Sequence, residues 1–284
     1  MFRHRAADLQ PKMRADSMEP LEPTIATAIV RPPGPTFAQG ITRAGLGPPD
    51  LELALAQHAA YAVALEAAGV CLVRLPADPA HPDSTFVEDT AVILGREAIL
   101  TRPGAESRRG EVDSIRAALL PLVASLEAIE PPGTLDGGDV LETDRGFLIG
   151  ISERTNEAGA RRLVKWLAAR GRHAHLVAIG GMPGLLHLKT GISCVAGGLA
   201  AAVPALAPAA RALGLEVIPV EPEESYAANA IRANGRVLLP SGAPVLSRRL
   251  RARGCAVVPL EMSEFEKMDG GLSCLSLRLP AGGG

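Results

Sequence analysis

The segment with the clearest chemical signature ends at Cys274, which follows the glycine pair Gly270-Gly271 and the acidic Asp269. Glycines allow a tight turn that can present a thiol at the start of a strand. A cysteine nucleophile works with a general acid or base, usually a histidine. Of the six histidines, His187 is the best candidate, since it directly precedes a small, apolar strand pattern. On this pattern alone, a structural histidine is an equally good interpretation.

Acidic residues are concentrated in two short segments. Asp83, Glu88 and Asp89 fall within seven residues, and Asp136 and Asp139 flank a second glycine pair. Carboxylates gathered at one point would bind a cation, most simply an ammonium or a guanidinium. A metal is the alternative, although a lone cysteine–histidine pair is a poor ligand set for structural zinc.

Two arginines could bind the other end of the same molecule. Arg108 and Arg154 lie in predicted loops after apolar strand patterns, where they could hold an anionic group. A substrate with a guanidinium at one end and a carboxylate at the other would use both the acidic and the basic set.

The composition excludes several classes of protein. The 284 residues include 29 basic and 31 acidic side chains, which give a net charge of −2 and no basic face for nucleic acid. Eight aromatic residues (five Phe, two Tyr, one Trp) leave little for base stacking. The four cysteines, Cys71, Cys194, Cys255 and Cys274, form no CxxC pair, so neither a zinc ribbon nor a disulfide framework is expected. We expect the first three to be buried and the protein to be cytoplasmic, with reduced thiols.

No segment is predicted to enter a membrane. The first twenty residues contain no apolar core of a secretory signal. The longest uncharged run, 190–210, is rich in alanine and glycine and is interrupted by Pro204 and Pro208. A buried strand, a turn and the start of a helix are the better interpretation of that run.

Repetition is the strongest indication of the fold. A small, acidic or amide residue leads into a short apolar strand five times, at intervals of 36 to 54 residues. Repeats of this length are typical of ring and solenoid architectures. In a ring, loops of all repeats converge at the centre, so each repeat should supply one or two site residues. The five positions are Asp89, Asp139, Ser193, Asn229 and Ser273.

Helical patterns lie between these strands. Asp50 can cap a helix that Gly69 ends, residues 111–120 form a second helix, and a third begins at Thr155 or Asn156. The predicted unit is strand, strand, helix, strand. We therefore expect a single α/β domain over residues 23–284, with pseudo-fivefold internal repeats, preceded by a disordered extension at residues 1–22.

Six segments, taken in order, resemble the dimethylarginine dimethylaminohydrolase family: 84–92, 101–109, 135–141, 154–156, 186–189 and 268–274. The resemblance extends from about Ala26 to the C-terminus, and it is specific because all six segments occur together. It implies the pentein fold, a five-bladed α/β propeller of guanidine-modifying enzymes, in agreement with the five repeats.

The resemblance also implies roles for individual residues. Cys274 matches the family nucleophile, His187 its general acid/base, and Asp136 the carboxylate that supports the histidine. Glu88 and Asp89 match the pair that binds the guanidinium. The remaining positions match substrate contacts: Asp83, Asp269 and Met268, the α-carboxylate ligands Arg108 and Arg154, and Phe37 at an apolar lid position.

The activity implied is hydrolysis of N(G),N(G)-dimethyl-L-arginine and N(G)-monomethyl-L-arginine to L-citrulline and dimethylamine or methylamine, through a covalent amidino-thioether. No cofactor and no metal are expected. The protein would bind a small methylated arginine, neither nucleic acid nor membrane, and be a monomer or homodimer. The alternatives are an arginine deiminase or an amidinotransferase of the same superfamily, and a non-catalytic pentein that binds zinc or another ligand.

Overall fold

A computed structural model describes residues 24–281 of the chain. The predicted extension at residues 1–22 lies outside the described residues, so the structure does not test it. Fifteen strands in the described part form five separate three-stranded sheets. In chain order the strands are β1 (Ile25–Val30), β2 (Cys71–Arg74), β3 (Ala91–Leu94), β4 (Glu97–Leu100), β5 (Ser125–Ala128), β6 (Val140–Thr143), β7 (Gly146–Ile151), β8 (Ala174–Ala178), β9 (Ile192–Ala196), β10 (Leu199–Ala202), β11 (Glu216–Pro219), β12 (Ile231–Ala233), β13 (Arg236–Pro240), β14 (Ala256–Leu260) and β15 (Ser276–Pro280).

All five sheets have the same topology. Two strands pair antiparallel, and a third pairs parallel with the second: β3-β4-β5, β6-β7-β8, β9-β10-β11, β12-β13-β14 and β15-β1-β2. A parallel pair needs a crossover, and a helix supplies it in each sheet. The helices are α1 (Leu51–Ala67), α2 (Glu111–Leu119), α3 (Glu157–Ala168), α4 (Ala207–Ala212) and α5 (Pro244–Ala252), with a short α6 (Ser263–Glu266) before the last turn. The predicted α/β fold with five internal repeats is confirmed.

One sheet combines the two ends of the described chain. Strand β15 pairs antiparallel with β1, with Ile29 opposite Leu277, and β1 pairs parallel with β2. In this sheet the second strand, β1, precedes the first strand, β15, in the chain by almost the whole sequence.

The helix ends follow from their capping residues. The Asp50 side chain accepts a hydrogen bond from the backbone N–H of Leu53, and Asn156 does the same for Gly159. Such caps satisfy backbone donors that have no partner within the helix. These contacts confirm the predicted starts of α1 and α3.

A short 3-10 turn precedes the first strand of every sheet. The five turns are Val87–Thr90, Gly137–Asp139, Leu188–Thr190, Pro222–Ala228 and Ser273–Leu275. They contact one another in the middle of the molecule and carry most of the polar residues that are buried there.

The prediction that Cys71 is buried is wrong. It is exposed, because β2 is the outer strand of its sheet, and Cys194 and Cys255 are only partly buried. No helix in residues 24–281 combines the length and the apolar character needed to span a bilayer.

Candidate active site

Two cavities lie on either side of the five turns. The front cavity is small, about 20 Å³, and has space for about one water molecule. Eight of the predicted site residues line it: Asp83, Asp89, Arg108, Arg154, His187, Met268, Asp269 and Cys274. The rear cavity is about 1480 Å³ and is lined by the first strand of each sheet together with Glu88, Lys189, Ser193, Ser273 and Arg278.

Each turn brings one polar residue to the centre. Cys274 lies within its turn, as does Asp89, while Asp136 and His187 directly precede theirs and Asn229 directly follows its own. The expectation that every repeat contributes to one central site therefore agrees with the fold. Of the five repeat positions, Ser193 lies on β9 and not in or beside a turn, and both Ser193 and Ser273 line the rear cavity.

The Cys274 thiol is almost completely buried in the turn Ser273–Leu275. The backbone N–H of Gly271 lies 3.4 Å from Sγ and can donate to it. Burial, followed by the negative charges of Glu88 and Asp89, raises the pKa of Cys274 to about 12. At neutral pH the thiol is therefore neutral, and a cation bound beside it would favour the thiolate.

His187 is paired with a fully buried carboxylate. Its Nε2 lies 3.0 Å from Oδ2 of Asp136, whose Oδ1 accepts a hydrogen bond from the backbone N–H of Gly104. Burial alone would lower the pKa of His187, but Asp89 and Asp136 outweigh it and raise the pKa to about 9. At neutral pH the imidazole is protonated and can act as a general acid.

Asp89 is a carboxylate that lines the front cavity. Its Oδ1 accepts from the backbone N–H of Gly138 at 2.8 Å, and its Oδ2 accepts from Arg108 Nη1 at 2.6 Å. Burial would raise the pKa of Asp89, yet the charges of His187 and Arg108 lower it to about 2. Asp89 is therefore ionised and faces the cavity.

Gly138 permits this close arrangement. A Cβ at Gly138 would lie 2.8 Å from Oδ1 of Asp89 and 2.9 Å from the ring of His187. Any side chain at this position would displace the histidine or the carboxylate.

Glu88 does not face the front cavity. Its Oε1 accepts from Lys189 Nζ at 2.6 Å and from Arg278 Nη2 at 2.7 Å, and its Oε2 accepts from Ser273 Oγ at 2.7 Å. This placement does not support the expectation that Glu88 binds the guanidinium. In a 3-10 turn, consecutive side chains point about 120° apart, so Glu88 and Asp89 serve different cavities.

The two predicted arginines differ in their partners. Arg108 is buried and is held by Glu111 through Nε and Nη2 and by Asp89 through Nη1. Within the described chain the Arg154 guanidinium has no hydrogen-bond partner. Burial raises the pKa of Asp83, and the positive charge of Arg154 partly offsets that rise. Arg154 is the cation that is available to a ligand.

The loop that covers the front cavity carries Ile41. The backbone N–H of Ile41 donates to Asp83 at 3.0 Å, and that of Arg43 donates to Asp269 at 2.5 Å. Ile41 lines the cavity, whereas Phe37, the residue predicted for this role, is buried against aromatic rings in the core. Phe37 therefore does not line the front cavity, and Ile41, four residues further along the same loop, lies there instead.

Several supporting residues are recognisable only in the structure. Asp139 accepts from the backbone N–H of Leu188 at 2.9 Å and so fixes the segment that carries His187. Asn229 donates to Lys189 and Ser273 and accepts from the backbone N–H of Ser273. Asp139 and Asn229 stood out as repeat positions, but nothing in the sequence indicated their partners.

One group of described residues could hold a metal ion: ligand atoms of Asp89, Asp136 and His187 lie within 4.8 Å of one another. Each already has a partner, since Asp136 binds His187 and Asp89 binds Arg108. A protonated imidazole is also no ligand. The group does not include Cys274, on which the alternative of zinc binding by a cysteine–histidine pair depended.

Comparison with known proteins gives consistent results. The family model for arginine deiminase matches residues 82–219. The N(G),N(G)-dimethylarginine dimethylaminohydrolase of Pseudomonas aeruginosa is 39% identical over 251 residues, which cover 88% of this chain and 98% of that protein. The protein of the same name from Streptomyces coelicolor is 38% identical over 261 residues and covers 89% of this chain.

Solved structures show the same fold. A cysteine-to-serine variant of the Pseudomonas aeruginosa protein, complexed with citrulline, has a TM-score of 0.86 at 38% identity and covers 90% of this chain and 100% of its own. The N-terminal domain of ArgZ, an arginine dihydrolase from cyanobacteria, has a TM-score of 0.81 at 19% identity, which shows the fold alone. From the sequence identity over nearly the whole chain, together with the five-sheet fold, it follows that this chain belongs to the dimethylarginine dimethylaminohydrolase family of the pentein superfamily.

Proposed function

We propose that this protein hydrolyses N(G),N(G)-dimethyl-L-arginine and N(G)-monomethyl-L-arginine to L-citrulline, releasing dimethylamine or methylamine. The observation that carries the proposal is the meeting of a buried thiol, a protonated histidine and three carboxyl groups at one small cavity. The citrulline bound by the related Pseudomonas aeruginosa structure is the product that this reaction would release.

The guanidinium group of the substrate would bind beside Asp89 and Asp136. Its positive charge would offset the negative charges of Glu88 and Asp89 that disfavour the Cys274 thiolate, so the thiol loses its proton to solvent. Substrate binding and formation of the nucleophile are thus coupled. An empty site keeps the thiol neutral and protected from other electrophiles.

The thiolate of Cys274 would then attack the guanidinium carbon and form a C–S bond. The protonated His187 donates its proton to the departing amine nitrogen, the C–N bond breaks, and an amidino-thioether remains on Cys274. The neutral His187 next removes a proton from water, which attacks the same carbon. Collapse of this adduct breaks the C–S bond, the hydroxyl proton of the adduct is released to solvent, and citrulline, the thiolate and a protonated His187 result.

The other end of the substrate would bind at Arg154, whose guanidinium is available. Asp83 and Asp269 lie beside it and carry the opposite charge, as the α-ammonium group requires. The front cavity is too small for an amino acid, so the loop carrying Ile41 must move to admit the substrate. Its attachments to Asp83 and Asp269 are hydrogen bonds that a bound α-ammonium group would replace.

A deiminase is the second candidate, favoured by the match to the arginine deiminase family model. Product analysis separates the two. Purified protein should release dimethylamine or methylamine with citrulline from the methylated substrates, and arginine should be a far poorer substrate. Equal turnover of arginine with release of ammonia would establish the deiminase instead.

The same assay with Cys274→Ser should detect no product, while Cys71→Ser, at the exposed cysteine, should leave turnover unchanged. Mass spectrometry of wild-type protein quenched during turnover should show the amidino adduct on the Cys274 peptide. Full activity of Cys274→Ser would contradict the proposed nucleophile.

A further inference from the structure

A group of charges, one carboxylate that is buried and two cations that are partly buried, lies behind Cys274 on the rear side of the turn Ser273–Leu275. One carboxylate, that of Glu88, accepts hydrogen bonds from two cations, Lys189 and Arg278. The catalytic steps derived above use neither cation, and both line the rear cavity, not the front one. Two cations against one carboxylate leave a net positive charge directly behind Cys274.

Arg278 has the more extensive contacts with the turn. It lies on β15, and its Nη1 donates to the carbonyl of Ser273 at 3.0 Å and to Oγ of Ser276 at 3.0 Å. Its Nη2 donates to Glu88 at 2.7 Å, and Glu88 in turn accepts from the hydroxyl of Ser273. Arg278 therefore fixes Ser273, the neighbour of the nucleophile, through its backbone and through its side chain.

This double attachment restricts how the turn can rotate. Ser273 is held at its carbonyl by Arg278, at its hydroxyl by Glu88, and at its N–H by Asn229. Since all polar atoms of Ser273 have partners, the peptide that leads to Cys274 has one orientation. The planar guanidinium of arginine can bond to two of these partners at once, which an ammonium group cannot do in the same geometry.

We propose that Arg278 is a positioning residue for the nucleophile: through Glu88 and the carbonyl of Ser273 it sets the orientation of Cys274 and limits the negative charge that the thiol experiences. The inference rests on the proposed role of Cys274 in the reaction. It assigns no contact between Arg278 and the substrate.

The charges around the turn indicate how the loss of Arg278 would affect formation of the Cys274 thiolate. The carboxylate of Glu88 raises the pKa of Cys274 and the ammonium of Lys189 lowers it. Without Arg278, Lys189 alone would compensate Glu88, so the thiolate would be harder to form. A variant without Arg278 should therefore be impaired in the chemical step and not in substrate binding, because the turn separates Arg278 from the front cavity.

The test compares Arg278→Met and Arg278→Lys with Arg170→Met. Arg170 is a matched control, since its side chain is 19% exposed against 21% for Arg278, it lines the rear cavity, and it also binds carboxylates, Glu97 and Glu127. Alkylation of Cys274 by iodoacetamide is followed against pH without substrate, by mass spectrometry of the Cys274 peptide. Steady-state turnover of dimethylarginine is measured in parallel.

Arg278→Met should displace the alkylation profile by about one pH unit upward, so that alkylation is about tenfold slower at any pH below the thiol pKa. Its kcat should fall about tenfold, while KM stays within about twofold of the wild-type value. Arg278→Lys should restore the alkylation profile through its charge but leave kcat lowered. Arg170→Met should match wild type in its alkylation profile, its kcat and its KM.

The inference would be overturned if the alkylation profile of Arg278→Met coincided with those of wild type and Arg170→Met, whatever the change in Tm. If Arg278→Met does not fold, a wild-type kcat in Arg278→Lys would overturn it equally. Failure of the proposed function is recognised separately: wild-type protein would not turn over methylated arginines, yet the alkylation shift would persist.

Discussion

The front and rear cavities share one short turn, and the comparison between them rests on two consecutive carboxylates. Asp89 faces the front cavity, where Arg108 and the protonated His187 keep it ionised. Glu88 faces the rear, where Lys189 and Arg278 lower its pKa despite complete burial. The two carboxylates have the same chemistry and lie in the same turn, so the cations that surround each one determine its role.

The charge of each cavity follows from these partners. The Glu88 carboxylate is already bound by two cations, and a third has no favourable place beside it. The carboxylates at the front have fewer cations, because Arg108 is shared between Asp89 and Glu111. A guanidinium ligand is therefore attracted to the front side of the turn and repelled from the rear.

Substitution of the two carboxylates tests this division. Asp89→Asn should reduce kcat/KM by at least about a hundredfold, because a charged hydrogen bond to the guanidinium and part of the field that protonates His187 are both lost. Glu88→Gln should leave KM within about twofold and lower Tm, since it leaves two partly buried cations without their anion. Steady-state kinetics and thermal unfolding of both variants provide the measurement.

The reverse pattern, in which Glu88→Gln raises KM for the methylated substrate while Asp89→Asn does not, would place guanidinium binding on the rear side. Glu127→Gln is a suitable control, as the partly exposed Glu127 binds Arg162 and Arg170 and is not among the residues that line either cavity. It should leave KM and kcat unchanged.

The two arginines of the front cavity give a second, smaller contrast. Arg154→Ala should weaken substrates that carry an α-carboxylate by about ten- to hundredfold, the equivalent of one charged hydrogen bond of about 1.5–3 kcal/mol. Agmatine-like analogues without the carboxylate should be unaffected. Arg108→Ala should impair both kinds of substrate equally and lower Tm, because Arg108 holds Asp89 and Glu111.

Equal losses in Arg154→Ala for substrates with and without the carboxylate would show that Arg154 has a structural role. A loss in Arg108→Ala that is confined to substrates with the α-carboxylate would instead show that Arg108 breaks its contact with Asp89 and binds the substrate. The ratio of kcat/KM for the two substrate types decides between these outcomes.

The smallest expected effect is on the pH dependence of stability. The pKa of His187 is about 9 in the folded protein against 6.5 for the free side chain, so its ion pairs contribute their full stability below pH 6.5 and lose it as pH rises through 9. Thermal unfolding should show Tm falling by several degrees over this range. His187→Gln should have a lower Tm at pH 6.5 and a flatter profile, and a profile parallel to wild type would contradict the assigned pKa.

Much of the fold could be predicted from local patterns. Each repeat has short apolar strands, and capping residues such as Asp50 and Asn156 mark helix starts through contacts only three residues away. Such signals are contained within a few residues of sequence. The pairing of β15 with β1 joins segments at opposite ends, and no local pattern indicates it.

The partners of the site residues could not be predicted in the same way. Glu88 binds Lys189 and Arg278, which lie 101 and 190 residues away in the chain. Only the closed ring shows which of two adjacent carboxylates these cations reach. Phe37 and Ile41 are both apolar residues of one loop, and packing against Phe86 and Phe265 explains why the first is in the core.

The closure of the ring by β15 has a consequence for folding. The proposed nucleophile, Cys274, lies in the turn that precedes this strand. The strand is held by residues such as Tyr61, whose hydroxyl bonds to Ser276 across 215 residues of sequence. Contacts of such long range form late, because the entropy of closing the loop must first be overcome. During synthesis the other four sheets leave the ribosome before β15 does, so the thiol joins its histidine and carboxylates only when the ring closes. Activity and completion of the fold are thus acquired in the same step, and a partly synthesised chain has no assembled catalytic centre.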